Sequence, residues 1–168
     1  MWLKGRNILE KMGFMQYEVS NFAKKGFESR HNQVYWKQEN YIGIGSGASG
    51  TWYDFEKTEA LRWTNTLSIP VYVSKCMSRK TESLDAATLE FEFLMLGFRR
   101  LSGVRDVDFE MRFGKSLSER IGADKKDGVF FKWQKMGLPS VKKTGEATIY
   151  ALNRRGILLL NRFLEELL

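Results

Sequence analysis

Residues 17–50 read YEVSNFAKKGFESRHNQVYWKQENYIGIGSGASG. The stretch opens on the end of an apolar run, MQYEV (15–19), that reads as a strand. A polar loop from Ser20 to Val34 follows, and loops of that length in a compact domain tend to carry function. A series of glycines then closes the stretch. Gly45, Gly47 and Gly50 match the spacing G-x-G-x-x-G, whose chemistry requires a strand before it, a helix start after it and an acidic residue about 20 positions on. YIGI (41–44) is very short for that strand, TWYDF (51–55) is an aromatic strand-like run, and Leu67 and Ser68 stand where the acid belongs. A dinucleotide site is therefore rejected. The glycines still place backbone close to something, either a flat ligand or a neighbouring strand.

The middle of the stretch holds the only histidine of the chain, His31, between Arg30 and Asn32 and one helical turn from Tyr35 and Trp36. A neutral imidazole is a common axial ligand to haem iron, a guanidinium can pair with a propionate, and aromatic rings offer flat apolar surface. An imidazole held by a backbone carbonyl, with the two aromatics in ordinary packing, explains the same residues without a ligand. From chemistry alone both readings stand. Metal chemistry in this chain has to rest on His31 or on a bound prosthetic group, because the single cysteine, Cys76, cannot by itself hold zinc or an iron–sulfur cluster.

Further out, 168 residues with 43% hydrophobic and 14% aromatic side chains suffice for a packed core. No run approaches the ~20 apolar residues of a membrane span, and MWLKGRNILEKMG has no leader pattern, so the sequence predicts a cytoplasmic protein. The net charge of +7 is spread over separate pairs such as Lys24–Lys25, Arg99–Arg100, Lys142–Lys143 and Arg154–Arg155, which is compatible with a polyanionic partner or a solvated surface.

Apolar spacing predicts a helix over 2–13 stopped at Gly13, and helix then strand is half of a βαβ unit. TWYDF and ALRWTN have strand character, and SIPVYVSKCM is a short helix or extended segment with Pro70 in its first turn. From about residue 79 the pattern becomes helical. Ser83 and Asp85 offer capping oxygens, and Leu84, Ala87, Phe91, Leu94, Met95, Phe98 and Leu101 make a stripe. Helices near 106–113, 116–122 and 125–136, a hairpin turning at Thr144–Gly145 and a last helix capped by Asn153 complete a winged-helix-like unit.

The quoted stretch is closely similar to a signature of the oxygen-independent coproporphyrinogen III oxidase-like proteins, whose haem chaperones belong to the radical S-adenosylmethionine (SAM) superfamily. The HNxxYW element, His31, Asn32, Tyr35 and Trp36, resembles the piece that sets chaperones apart from oxidases. EFLMLGFRRLSGV (92–104), DFEMRFG and ALNRRGILLLNRFL resemble the family's C-terminal helical domain. The resemblance implies an α/β fold: residues 1–78 as the C-terminal remnant of a partial (β/α) radical SAM barrel, and 79–168 as a mainly helical, winged-helix-like C-terminal domain. It implies haem binding with His31 as metal ligand and Arg30, Asn32, Tyr35 and Trp36 around it. It also implies that Gly43, Gly45, Gly47 and Ala48 lie near SAM. Ser49 stands where many relatives carry histidine in GxGAHG.

Full-length relatives bear a CxxxCxxC motif for a [4Fe–4S] cluster, and that motif does not occur in this sequence. The chain is therefore expected to be a fragment, inactive alone in radical chemistry, and no catalytic residue is assigned. The intact protein would bind SAM, a [4Fe–4S] cluster and haem, and would pass haem to an acceptor protein in the cytoplasm or at the membrane face. The rival activity in the same family is oxidative decarboxylation of coproporphyrinogen III. A third reading, nucleic-acid binding by residues 79–168, lacks a recognition helix rich in Arg, Asn and Gln. A barrel cut across its strands also predicts that the first 60–80 residues are less ordered than the C-terminal half or are covered by self-association.

Overall fold

The computed structural model describes residues 2–74 and 78–168, so Cys76 lies outside the described residues. Helices and antiparallel sheets alternate along the chain, and the residues divide into two compact units: Met1–Arg30 with Leu94–Leu168, and His31–Phe93. Residue 78, where the sequence changes character, lies inside the second unit.

In the first unit, helix α1 (Trp2–Lys11) ends, as its glycine predicts, at Gly13 with φ +84°. The expected strand over 15–19 forms only as β1 (Met15–Gln16), because the chain turns at once and pairs antiparallel with β2 (Phe22–Ala23). Glu18, fully buried in that turn, accepts from the Ser20 N–H at 2.6 Å and from Arg99 Nε at 3.2 Å. The expected loop over 20–34 is thus corrected, since it contains β2 and the start of helix α2 (Arg30–Trp36). Polar residues there serve turns and helix surface.

The helical stripe beginning near Leu84 is helix α4 (Ala86–Phe98), opened by Asp85, whose carboxylate accepts from the Thr88 N–H at 2.8 Å. The last residues of α4, Leu94–Phe98, belong to the first unit, and Leu94 and Phe98 are fully buried. Strand β6 (Val104–Arg105) leads to α5 (Asp106–Phe113), α6 (Leu117–Ile121) and α7 (Val129–Lys135), the three helices read from the sequence. The predicted hairpin is β7 (Pro139–Thr144) with β8 (Ala147–Leu152), and β8 lies between β6 and β7. Asn153 accepts from the Arg155 and Gly156 N–H groups, and a 3₁₀ turn (Gly156–Leu159) leads into α8 (Leu160–Leu167). Phe163 of α8 is fully buried, with its ring centroid 4.9 Å from that of Phe98 and 5.0 Å from that of Trp133, both edge-on.

The second unit is built on a three-stranded sheet in the order β3 (Ser49–Asp54), β4 (Glu59–Asn65), β5 (Arg79–Leu84). The first two are the strands read from TWYDF and ALRWTN. β5 corrects the expectation of helical character from residue 79: Arg79–Leu84 pair antiparallel with β4, and Ser83 is a strand residue, not a helix cap. Tyr53, Ala60, Leu84 and Leu89 form the unit's apolar interior with Trp36. Pro70 stands in the first turn of helix α3 (Ile69–Val73), as expected.

Candidate functional site

Helix α2 sets the site. His31 and Tyr35 are four residues apart and share one helix face. Their rings meet edge-on at 4.9 Å, and the Tyr35 hydroxyl lies 3.0 Å from His31 Nε2. The helix closes with Gln38 in the left-handed region (φ +52°), while Gln38 N–H donates to Tyr35 O and Glu39 N–H to Val34 O. Glycine is the usual residue in such a closure. Here the fully buried Gln38 side chain also donates from Nε2 to Leu89 O at 3.2 Å, which holds the helix end in place.

Beyond the helix the chain returns along the sheet. Tyr41 and Thr51 exchange backbone hydrogen bonds at 3.1 and 3.0 Å, and Thr51 Oγ1 donates to the Tyr41 hydroxyl at 3.1 Å. The Tyr41 ring then meets Tyr35 edge-on at 4.6 Å. Arg62 stands 3.5 Å from Thr51 Oγ1 through Nε and grips both oxygens of Glu92 at 3.0 and 2.7 Å. Hydrogen bonding to Glu92 raises the Arg62 pKa above its ordinary value, so the guanidinium is a fixed positive charge behind this row.

The glycine segment is held from within the chain. Asn65, buried, donates from Nδ2 to Gly45 O at 2.9 Å and to Gly43 O at 3.4 Å. Gly45 N–H donates to the Tyr72 hydroxyl, Gly47 N–H to Thr66 O, and Ala48 N–H to Gly45 O. Gly45 and Gly47 have φ of +114° and +73°, and a Cβ at Gly43 would fall on the Ser49 backbone. Strand β3, not a helix, follows at Ser49, in keeping with the rejection of a dinucleotide fingerprint.

Between helix face and glycine segment lies a recess of about 570 Å³. It is lined by His31, Val34, Tyr35, Tyr41, Ile42 and Ile44 together with Asn40, Gly43, Ala48 and Ser49, all in the second unit. The volume falls within the ~300–1,000 Å³ of small-molecule sites. His31 is exposed, and Ile42 and Ile44 expose 66% and 87% of their surface, so an imidazole nitrogen and uncovered aliphatic surface face the same space. That donor and lining fit an apolar, iron-bearing disc better than a phosphate, because the Gly45, Gly47 and Ala48 amides are already committed.

Of the residues singled out in the sequence, His31, Tyr35, Gly43 and Ala48 line the recess. Arg30, Asn32, Trp36, Gly45 and Gly47 do not. Arg30 is the exposed first residue of α2, Asn32 is half-buried, and Trp36 points into the interior, 7% exposed. Sequence reasoning missed Val34, Tyr41, Ile42 and Ile44. Ile42 and Ile44 carried a signal, two aliphatics at i and i+2 in YIGI, which read as a strand fragment. Among the described residues, no group of three or more His, Cys, Asp or Glu could hold a metal ion, and no helix is long and apolar enough to cross a membrane.

Comparison with known proteins agrees with the family resemblance. The chain is 38% identical over 119 residues to a protein named heme chaperone HemW from Lactococcus lactis, covering 69% of this chain and 30% of that one. It is 34% identical over 114 residues to heme chaperone HemW of Bacillus subtilis, covering 65% and 28%. Over 50 residues it is 54% identical to the mouse protein named radical S-adenosyl methionine domain-containing protein 1, mitochondrial, covering 30% of this chain and 11% of that protein. The chain thus spans less than a third of the length of these curated relatives. No family model matches it, and no solved structure matches it.

Proposed function

We propose that this chain, a homologue of part of the HemW-like radical SAM proteins, supplies the haem-ligating portion of a haem chaperone, with His31 as the axial ligand. The observation that carries the reading is the exposed imidazole of His31 beside the uncovered side chains of Ile42 and Ile44 in one recess. Haem is cargo here: its iron takes a neutral imidazole nitrogen, and its macrocycle takes apolar surface. Tyr35 and Tyr41 back the imidazole, Ile42 and Ile44 offer the faces against which a porphyrin lies, and Arg30 and Asn32 neighbour the ligand on its own helix. Trp36 acts from behind, by fixing α2 to the interior.

At the level of the intact protein, residues 1–78 correspond to the last part of a radical SAM barrel and 79–168 to a winged-helix-like domain. The helices α5, α6 and α7 followed by the β7–β8 hairpin, with β6 on the far side of β8, support the latter. SAM and a [4Fe–4S] cluster belong to the intact protein, with the glycine segment 43–48 near SAM. The acceptor is a haem-binding protein in the cytoplasm or at the membrane face. Self-association through α1 is supported by its exposed Trp2, Leu3 and Ile8 and by the exposed Met12 just after it.

Titration of ferric haem into the full chain tests the ligand assignment. A Cys76→Ser background removes the one thiolate that could compete. The parent is expected to give a saturable Soret shift that His31→Ala abolishes. Equal spectra from the two would remove His31 from the site.

A further inference from the structure

One ring nitrogen of His31, a residue that lines the recess, is already engaged. Nε2 of His31 is 3.0 Å from the Tyr35 hydroxyl, and the imidazole sits edge-on against the Tyr35 ring. Tyr35 is in turn held edge-on by Tyr41 at 4.6 Å, and the Tyr41 hydroxyl is tied to Thr51 of the sheet. The tyrosine is therefore the anchored partner and the exposed imidazole the movable one. Either atom of this pair can be the donor; when the phenol donates to Nε2, the histidine proton is on Nδ1 and the Nε2 lone pair is occupied.

Resting on the reading of His31 as the haem ligand, we propose that Tyr35 is a latch on that ligand: its hydroxyl occupies the Nε2 lone pair, and an incoming iron porphyrin binds by displacing it. The exchange balances simply. The Nε2 lone pair forms the dative bond to iron, the hydrogen bond from Tyr35 is broken as the imidazole swings away, the anchored phenol keeps its proton and donates it to water in a hydrogen bond, and no electron is transferred. Part of the iron–nitrogen bond strength is offset by the lost hydrogen bond. For a chaperone the consequence is direct, because the same hydroxyl recaptures Nε2 when the porphyrin leaves and so favours release to an acceptor. Tyr35 is on this account a positioning residue that sets haem affinity, not a wall of the pocket alone.

Ferric haem titrations of the full chain in the Cys76→Ser background, with Tyr35→Phe and His31→Ala compared, separate the possibilities. Phenylalanine keeps the ring contacts with His31 and Tyr41, and far-UV circular dichroism checks that the variant is folded. One exposed hydrogen bond corresponds to about twofold to tenfold in affinity, so Tyr35→Phe is expected to bind haem tighter by that factor, with the His31-dependent Soret band retained. Unchanged or weaker binding with that band retained would overturn the latch while leaving His31 as ligand. A band that survives His31→Ala would overturn the ligand itself. The unmodified chain gives a second readout, independent of any variant: histidine-selective ¹⁵N NMR sees a single residue and is expected to place its proton on Nδ1. A proton on Nε2 would refute the latch.

Discussion

Asn65 lies at the end of β4 and is 6% exposed. Its side chain donates to Gly45 O at 2.9 Å and to Gly43 O at 3.4 Å, while its own N–H donates to Ala48 O. Asn65→Ala leaves the backbone bond and removes both side-chain bonds. Gly45 O keeps the Ala48 N–H at 3.3 Å, so the loss is one good hydrogen bond, one long one and a poorly satisfied Gly43 carbonyl. That sums to about 1–2 kcal/mol, short of the upper end for a wholly orphaned buried group. Asn65→Asp conserves shape but aims a carboxylate at two carbonyl oxygens and must cost more at neutral pH. Urea unfolding should therefore rank the parent above Asn65→Ala and Asn65→Asp lowest. Amide exchange should accelerate at Gly45, Gly47 and Ala48 in both variants. If the aspartate variant proved as stable as the parent, or if exchange in the glycine segment were unaffected, Asn65 would not be its anchor.

Two further outcomes follow from the first unit. Phe163→Ala opens a cavity among Phe98, Phe130 and Trp133 and is expected to cost about 3–5 kcal/mol in urea unfolding; a loss under 1 kcal/mol would contradict that packing. The Trp133 indole N–H, then Arg162, hold the Glu166 carboxyl below its ordinary value of 4.5. A depressed carboxylate contributes stability that is present above that value and lost as pH falls through the folded one. The acid limb of the stability curve below about pH 4.5 should thus be shallower in Glu166→Gln than in the parent, and equal limbs would show that the indole bond does not govern it.

The C-terminal elements were the most legible. Long apolar periodicity, glycine stops and Asn153 mark α4 to α8 and the β7–β8 hairpin because each of those signals acts within a few residues. Arg79–Leu84 misled because RKTESL has no apolar alternation: five of its six residues are exposed, and it is a strand only through pairing with β4. The short pairing of Met15–Gln16 with Phe22–Ala23 was hidden for the same reason. At the candidate site, His31 with Tyr35 follows from i, i+4 spacing. Trp36, one residue further round the helix, cannot share that face, and it is buried instead. Ile42, Ile44 and Tyr41 come to the imidazole through the Tyr41–Thr51 bridge, a tertiary contact that no local pattern announces.

With one histidine in the chain, ¹³C,¹⁵N-histidine labelling yields a single imidazole to follow when one equivalent of ferric haem is added. Ligation by His31 predicts that its ring resonances leave the diamagnetic region, shifted or broadened by the paramagnetic iron, and that zinc protoporphyrin leaves them sharp. Ring signals unmoved by ferric haem that has demonstrably bound would mean that iron is held elsewhere.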